Sequence, residues 1–272
     1  MLATDLSARC DRACKRTVLL ADQLDREIVV AHVIEGKKRR GDAETEEMLI
    51  AALIQKQFNK TDRLAQTIVL RGSVPQTLAD AARDARCDLI VTGIARLNSL
   101  RDHILGTAVD YLVRQASVPV LIVKEIAEGP YRRLMVATDL SSCSRAALET
   151  ALALFPKAKI DLVHAYHTPY EGFLRSEQIV DDVRREAEED VQRFLRSPSL
   201  PAGTRRRIKA KAMVGELAIV MKQALDRSEP DLVVLGTHGK SGFVHATIGS
   251  RAAELLSWLP CDVLMVRNNP VS

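Results

Sequence analysis

The chain alternates short apolar, β-branched runs with longer segments whose apolar residues recur every three or four positions. In its second half the runs 133–137, 159–165, 207–213, 231–236 and 262–266 read as strands. They are apolar nearly throughout, the pattern of strands buried on both faces of a parallel sheet. Between them, 143–155 and 216–228 read as helices. Within 179–195, Ile179, Val183, Ala187, Val191 and Phe194 make one apolar helical face opposite a face of Arg and Glu. Regular alternation of strand and helix predicts an α/β, doubly wound fold with right-handed crossovers and helices on both faces of the sheet.

The same pattern occurs twice. Ala3-Thr4-Asp5-Leu6-Ser7 recurs as Ala137-Thr138-Asp139-Leu140-Ser141, and Val29–Val33 is echoed by Asp161–Ala165. Cys87–Gly93 matches Pro230–Gly236, and Ser117–Val123 matches Leu259–Val266. Four matches in the same order indicate a tandem duplication, with a modest insertion in the second copy. The polar stretch Glu125–Pro130 is the expected joint, giving domains at 1–126 and 131–272. Each is expected to be a five-stranded parallel sheet flanked by helices. The final strand of each copy would be an exposed apolar edge, a liability that pairing the two within one chain would remove.

Composition refines this picture. The length of 272 residues fits two domains at roughly 150 each. With aromatics at only 4%, the cores must be built from Ala, Val, Leu and Ile. No apolar run reaches the roughly 18 residues of a membrane span, and the start shows no secretory pattern. The net charge of +4 is too small to mark a nucleic-acid binder. The densest basic stretch, Arg205–Arg207 with Lys209 and Lys211, has no interleaved aromatic and reads as a solvated strand entry. Five cysteines, an odd number, fit a reducing, cytoplasmic setting.

In doubly wound sheets ligands sit beyond the carboxyl ends of the strands, where strand order reverses. In the second copy the fourth strand ends in Gly236-Thr237-His238-Gly239, and nine residues later Gly249-Ser250 opens a helical pattern. Glycines let backbone amides approach an anion closely, and a helix N-terminus adds free N–H groups and a favourable dipole. The plainer alternative is that the glycines only make turns and Asp139 only caps the following helix. Gly239-Lys240-Ser241 looks like the end of a phosphate-binding P-loop, but Val234 stands where that motif requires glycine.

The spacing Gly-x2-Gly-x9-Gly-Ser, after Asp-Leu-Val-Val-Leu and before Leu-Pro-Cys-Asp-Val-Leu-Met-Val, resembles the ATP-binding branch of the universal stress proteins. The Ala137-Thr138-Asp139 turn and the position of His164 match as well. The resemblance covers both halves and implies two Rossmann-like domains of the adenine nucleotide alpha hydrolase-like type. It implies ATP, with or without Mg2+, as the ligand of the second half, in a stress-response sensor. Ala137 and Ala165 would flank the adenine, and Leu235 and Gly236 would line the nucleotide. Asp139 would lie near ribose and phosphates, beside Thr138. Gly239, Gly249, Ser250 and Arg251 would hold the phosphates, with His238 inside the loop touching phosphate or orienting the turn. Members of the family pair their last strands across a two-fold axis, so an intramolecular pseudo-dimer is expected, with further homodimerisation open.

The first half departs from the pattern. Its loop reads Gly93-Ile94-Ala95-Arg96 and then Gly106-Thr107, so Arg96 replaces the second glycine. Its side chain would fill the phosphate space, pair with Asp5, or itself hold a phosphate. Met1 aligns with Met135, so the lead-in to the first strand is missing, either through degeneration or because the start lies upstream. His164 with His167 and Cys10 with Cys14 are each two potential metal ligands, short of the three or four of a zinc site. No residue near the loop is placed as a general base, so binding is expected, with slow ATP turnover or autophosphorylation as the enzymatic alternative. A scaffold or carrier for some other small ligand is the remaining reading.

Overall fold

Burial on both faces organises the strands, and the computed structural model shows how. It describes residues 1–36, 43–94, 106–168, 177–200, 203–239 and 248–268. The chain divides into two compact units: Met1–Pro130 with Ser257–Met265, and Tyr131–Leu256 with Val266–Ser272.

In the first unit the elements run β1 (Leu2–Ala3), α1 (Asp11–Leu24), β2 (Ile28–Ile34), α2 (Ala43–Gln57), β3 (Leu64–Arg71), α3 (Val74–Asp84), β4 (Ile90–Gly93), α4 (Thr107–Gln115) and β5 (Val120–Val123). The sheet order is β3-β2-β1-β4-β5, all parallel. β4 and β5 are buried at every residue, as their continuous apolar runs require. β1 is only two residues long.

In the second unit β6 (Arg133–Thr138), α5 (Ser142–Leu154), β7 (Lys159–Tyr166), α6 (Glu177–Leu195), β8 (Ile208–Val214), α7 (Leu217–Ser228), β9 (Leu232–Gly236) and α8 (Ser250–Trp258) repeat the plan. The order β9-β6-β7-β8 is again parallel. Ala187, Val191 and Phe194 of α6 are buried, whereas Ile179 and Val180 at its start are largely exposed. The apolar face read from the sequence is therefore engaged only from its second turn onward. Arg205–Arg207 form a short 3-10 turn before β8, which begins one residue later than expected.

The last strand, β10 (Asp262–Val266), belongs to the second copy by repeat, yet Ser257–Met265 packs with the first unit. It runs antiparallel to β5, with Val263 opposite Ile122, Leu264 opposite Leu121 and Met265 opposite Val120. This pairing covers an apolar strand edge that would otherwise be open. Asp262 adds a polar anchor. Its Oδ1 accepts the amides of Lys124 (2.7 Å) and Glu125 (2.9 Å), and its Oδ2 lies 3.3 Å from the Arg16 guanidinium.

Candidate functional site

The turn after β6 is built by its own side chains. Thr138 Oγ1 accepts the Leu140 amide at 3.0 Å and lies 2.8 Å from Ser144 Oγ. Leu140 sits in the left-handed region (φ 63°), a conformation these hydrogen bonds stabilise in a non-glycine residue. Asp139 Oδ1 accepts the Ser141 amide, and Ser141 Oγ accepts the Ser144 amide, capping α5. The cap is thus Ser141, and the second carboxylate oxygen of Asp139 faces Gly239 instead. The neighbouring strand joins in, since His164 Nδ1 lies 2.9 Å from the Thr138 carbonyl.

The glycine loop is anchored at both ends by Thr237. Its amide donates to the Val266 carbonyl at 2.9 Å, and its own carbonyl accepts the Gly249 amide at 2.8 Å. A residue buried to 1% exposure therefore joins the exit of β9 to the entry of α8. The first intrahelical bond of α8 runs from Ala253 to the Gly249 carbonyl. The amides of Ser250, Arg251 and Ala252 lie ahead of it, at the positive end of the helix.

Two glycines are dictated by close approach. A Cβ on Gly236 would lie 3.0 Å from Cys143 Sγ and 3.1 Å from the Cys143 carbonyl carbon and oxygen, so α5 packs directly on the strand end. A Cβ on Gly239 would lie 2.7 Å from Asp139 Oδ2, which brings the loop and the first turn together.

These elements enclose a cavity of about 570 Å³ within the second unit. Ala137, Thr138, Asp139, Ala165, Leu235, Gly236, His238, Gly239, Gly249, Ser250 and Arg251 all line it. Its volume lies within the range of about 300–1,000 Å³ typical of small-molecule sites. The roles of these residues differ. The Thr138 hydroxyl is taken up inside the turn, leaving it a builder of the wall. His238 Nδ1 lies 2.9 Å from Thr237 Oγ1, while its Nε2 is buried with no hydrogen-bond partner among the described residues.

Further residues line the cavity that the loop motif did not identify, among them Ser144, His167, Glu216, Leu217 and Thr237. Glu216 and Leu217 follow Gly215, a positive-φ glycine at the end of β8. The loop motif points to the first, second and fourth strand ends, whereas Glu216 and Leu217 lie at the third, which Gly215 marks. His167 Nε2 faces Glu216 Oε1 at 3.9 Å. With His164 turned to the Thr138 carbonyl, the two histidines do not converge as a ligand pair. Cys10 ends a 3-10 turn before α1, donating to Asp5 Oδ1 at 3.1 Å, while Gln57 Nε2 donates to Cys14 Sγ at 3.4 Å. Burial pushes both thiols up, Cys14 to about 12. Among the described residues no group of three or more His, Cys, Asp or Glu could hold a metal ion.

The first unit repeats the turn. Thr4 Oγ1 accepts the Leu6 amide, Leu6 has φ 60°, and His32 Nδ1 lies 2.9 Å from the Thr4 carbonyl. Burial opposes the charge on Asp5, but hydrogen bonds from Ser7 and Cys10 outweigh it and hold the carboxyl below its usual range. Arg96 and its expected approach to Asp5 lie outside the described residues. No described helix is long and apolar enough to cross a membrane.

Comparison with known proteins places this geometry in a family. The model of the universal stress protein family matches residues 1–124 and again 130–267. A universal stress protein of Mycolicibacterium smegmatis is 24% identical over 297 aligned positions, covering 98% of this chain and 96% of the relative. Among solved structures, a universal stress protein of Archaeoglobus fulgidus covers 99% of this chain and 96% of its own, at 18% identity and TM-score 0.67. A Pseudomonas aeruginosa protein of unknown function covers 98% and 92%, at 18% identity and TM-score 0.69. Two matched copies of one family model, spanning nearly all of an α/β chain with the same turn built twice, show that this protein belongs to the universal stress protein family, in tandem form.

Proposed function

We propose that the second unit binds ATP and that the protein acts as a cytoplasmic, nucleotide-responsive stress protein rather than a turnover enzyme. The observation that carries this reading is the meeting of Gly239 and Asp139 beside the open N-terminus of α8. The amides of Ser250, Arg251 and Ala252, with the Ser250 hydroxyl and the Arg251 guanidinium, offer donors for phosphate oxygens. The apolar wall of Ala137, Ala165 and Leu235 suits a flat base, whose edge can be read by backbone groups. Asp139 Oδ2 points toward the glycine loop and is the carboxylate placed to hold Mg2+ arriving with the phosphates.

Calorimetry with Mg-ATP on the full chain and on Gly239→Arg tests this. The wild type should bind one nucleotide, and the variant should lose binding while keeping its unfolding midpoint. Unchanged affinity in the variant would remove the phosphate-site assignment. Mass spectrometry of the protein purified without added ligand discriminates the carrier reading, because a co-purified non-nucleotide molecule would replace ATP.

A further inference from the structure

A second concavity, of about 900 Å³, lies away from the glycine loop and runs along β8. Four successive strand residues, Ala210, Lys211, Ala212 and Met213, line it. Successive strand residues point to opposite faces, so a groove touching all four follows the edge of the strand. β8 ends the order β9-β6-β7-β8, and its only strand partner among the described residues is β7. Among the described residues, one row of its backbone N–H and C=O groups therefore has no strand partner. α6 leads outward from β7 to β8 and α7 returns from β8 to β9, so right-handed crossovers put them on opposite faces. Both contribute walls, α6 through residues from Arg184 to Arg193 with Arg196 just past its end, and α7 through Arg227. The edge is flanked on both sides.

The walls carry an excess of positive charge. Arg184 pairs with Glu188, Arg185 with Asp182 and Arg193 with Asp190. Arg196, Lys211 and Arg227 have no side-chain partner among the described residues, and Glu189 is the only other acid lining the groove. The first unit treats the cation on its own edge strand differently. On its edge strand β3, Arg71 is paired with both Glu46 and Glu47 of its own α2. Among the described residues, Lys211 on the second unit's edge strand has no acid partner, where Arg71 on the first has two.

We propose that the β8 edge is a docking site for an acidic, extended peptide segment of a partner protein, added as a further strand. Open main-chain groups would give the pairing, and Arg196, Lys211 and Arg227 would select acidic side chains. A peptide is favoured over a nucleic acid because no aromatic side chain lines the groove to stack on bases, whereas an open strand edge matches a peptide backbone.

The test uses the full chain and a short fluorescein-labelled peptide alternating Glu and Val, followed by fluorescence anisotropy. Saturable binding is expected, weakened by at least about tenfold in the exposed double variant Arg196→Glu/Arg227→Glu. Lys56→Glu/Lys60→Glu, an equal charge change elsewhere, should leave binding unchanged. The same peptide N-methylated at alternate amides should bind the wild type poorly, a readout independent of any variant's folding. Absence of saturable binding, equal loss in the control variant, indifference to N-methylation, or tighter binding of an oligothymidine of matched charge would each overturn the proposal.

Discussion

Arg16 Nε lies 3.3 Å from Asp262 Oδ2, with side chains 6% and 0% exposed. The guanidinium also donates to the Gly129 carbonyl at 2.6 Å. Removing one member of a buried pair leaves the other charge uncompensated, which costs about 3–5 kcal/mol. Asp262→Asn keeps an oxygen for the Lys124 and Glu125 amides while discarding the charge. It should lower the urea midpoint by an amount in that range. Adding Arg16→Met should recover part of the loss, as measured by a double-mutant cycle.

Lys124 sits beside this pair, its ammonium donating to the Leu259 carbonyl at 2.7 Å. Burial lowers its pKa to about 8, against the opposing pull of Cys261, Asp262 and Glu125. Between about 8 and its ordinary value of 10.5, the unfolded chain holds the proton that the folded chain releases. Stability from this group therefore rises with pH across that window and is lowest below it. Subtracting the unfolding free energy of Lys124→Met from that of the wild type should give a positive slope over that window. A flat difference would remove the assignment.

Gly236 and Gly239 should respond differently to the same change. In Gly236→Ala the new methyl meets backbone atoms of Cys143 at 3.1 Å, which cannot move without shifting α5. A loss of about 1–3 kcal/mol is expected. In Gly239→Ala it meets only the Oδ2 tip of Asp139, which can rotate away. The unfolding midpoint of that variant should change little, and its effect should appear in Mg-ATP affinity.

Arg96→Gly restores the glycine spacing of the first copy. If Arg96 blocks a second site, the calorimetric stoichiometry for Mg-ATP should rise from one to two. Stoichiometry held at one would show that the first unit is silent for reasons beyond this side chain.

The α/β class and the repeat could be read from the linear chain because parallel strands are buried on both faces. Their apolar runs are therefore continuous, and duplication preserves them in order. The glycine loop was legible for a related reason: a side chain on Gly236 would meet the backbone of Cys143, and one on Gly239 would meet the Asp139 carboxylate.

Other features depend on partners distant in sequence. Thr237 is an unremarkable residue until its amide meets Val266 and its carbonyl meets Gly249. Glu216 joins the cavity wall only because α7 starts beside the other strand ends. Arg71 and Lys211 are both cations on edge strands, yet one is neutralised by α2 and the other has no acid partner among the described residues. The pairing of β10 with β5 was legible as two open apolar edges, whereas its register and the hold of Asp262 on the Lys124 and Glu125 amides were decided in three dimensions. Local pattern determined the elements and the glycine loop of this universal stress protein. Packing decided which polar groups were consumed by the fold and which were left facing the cavity.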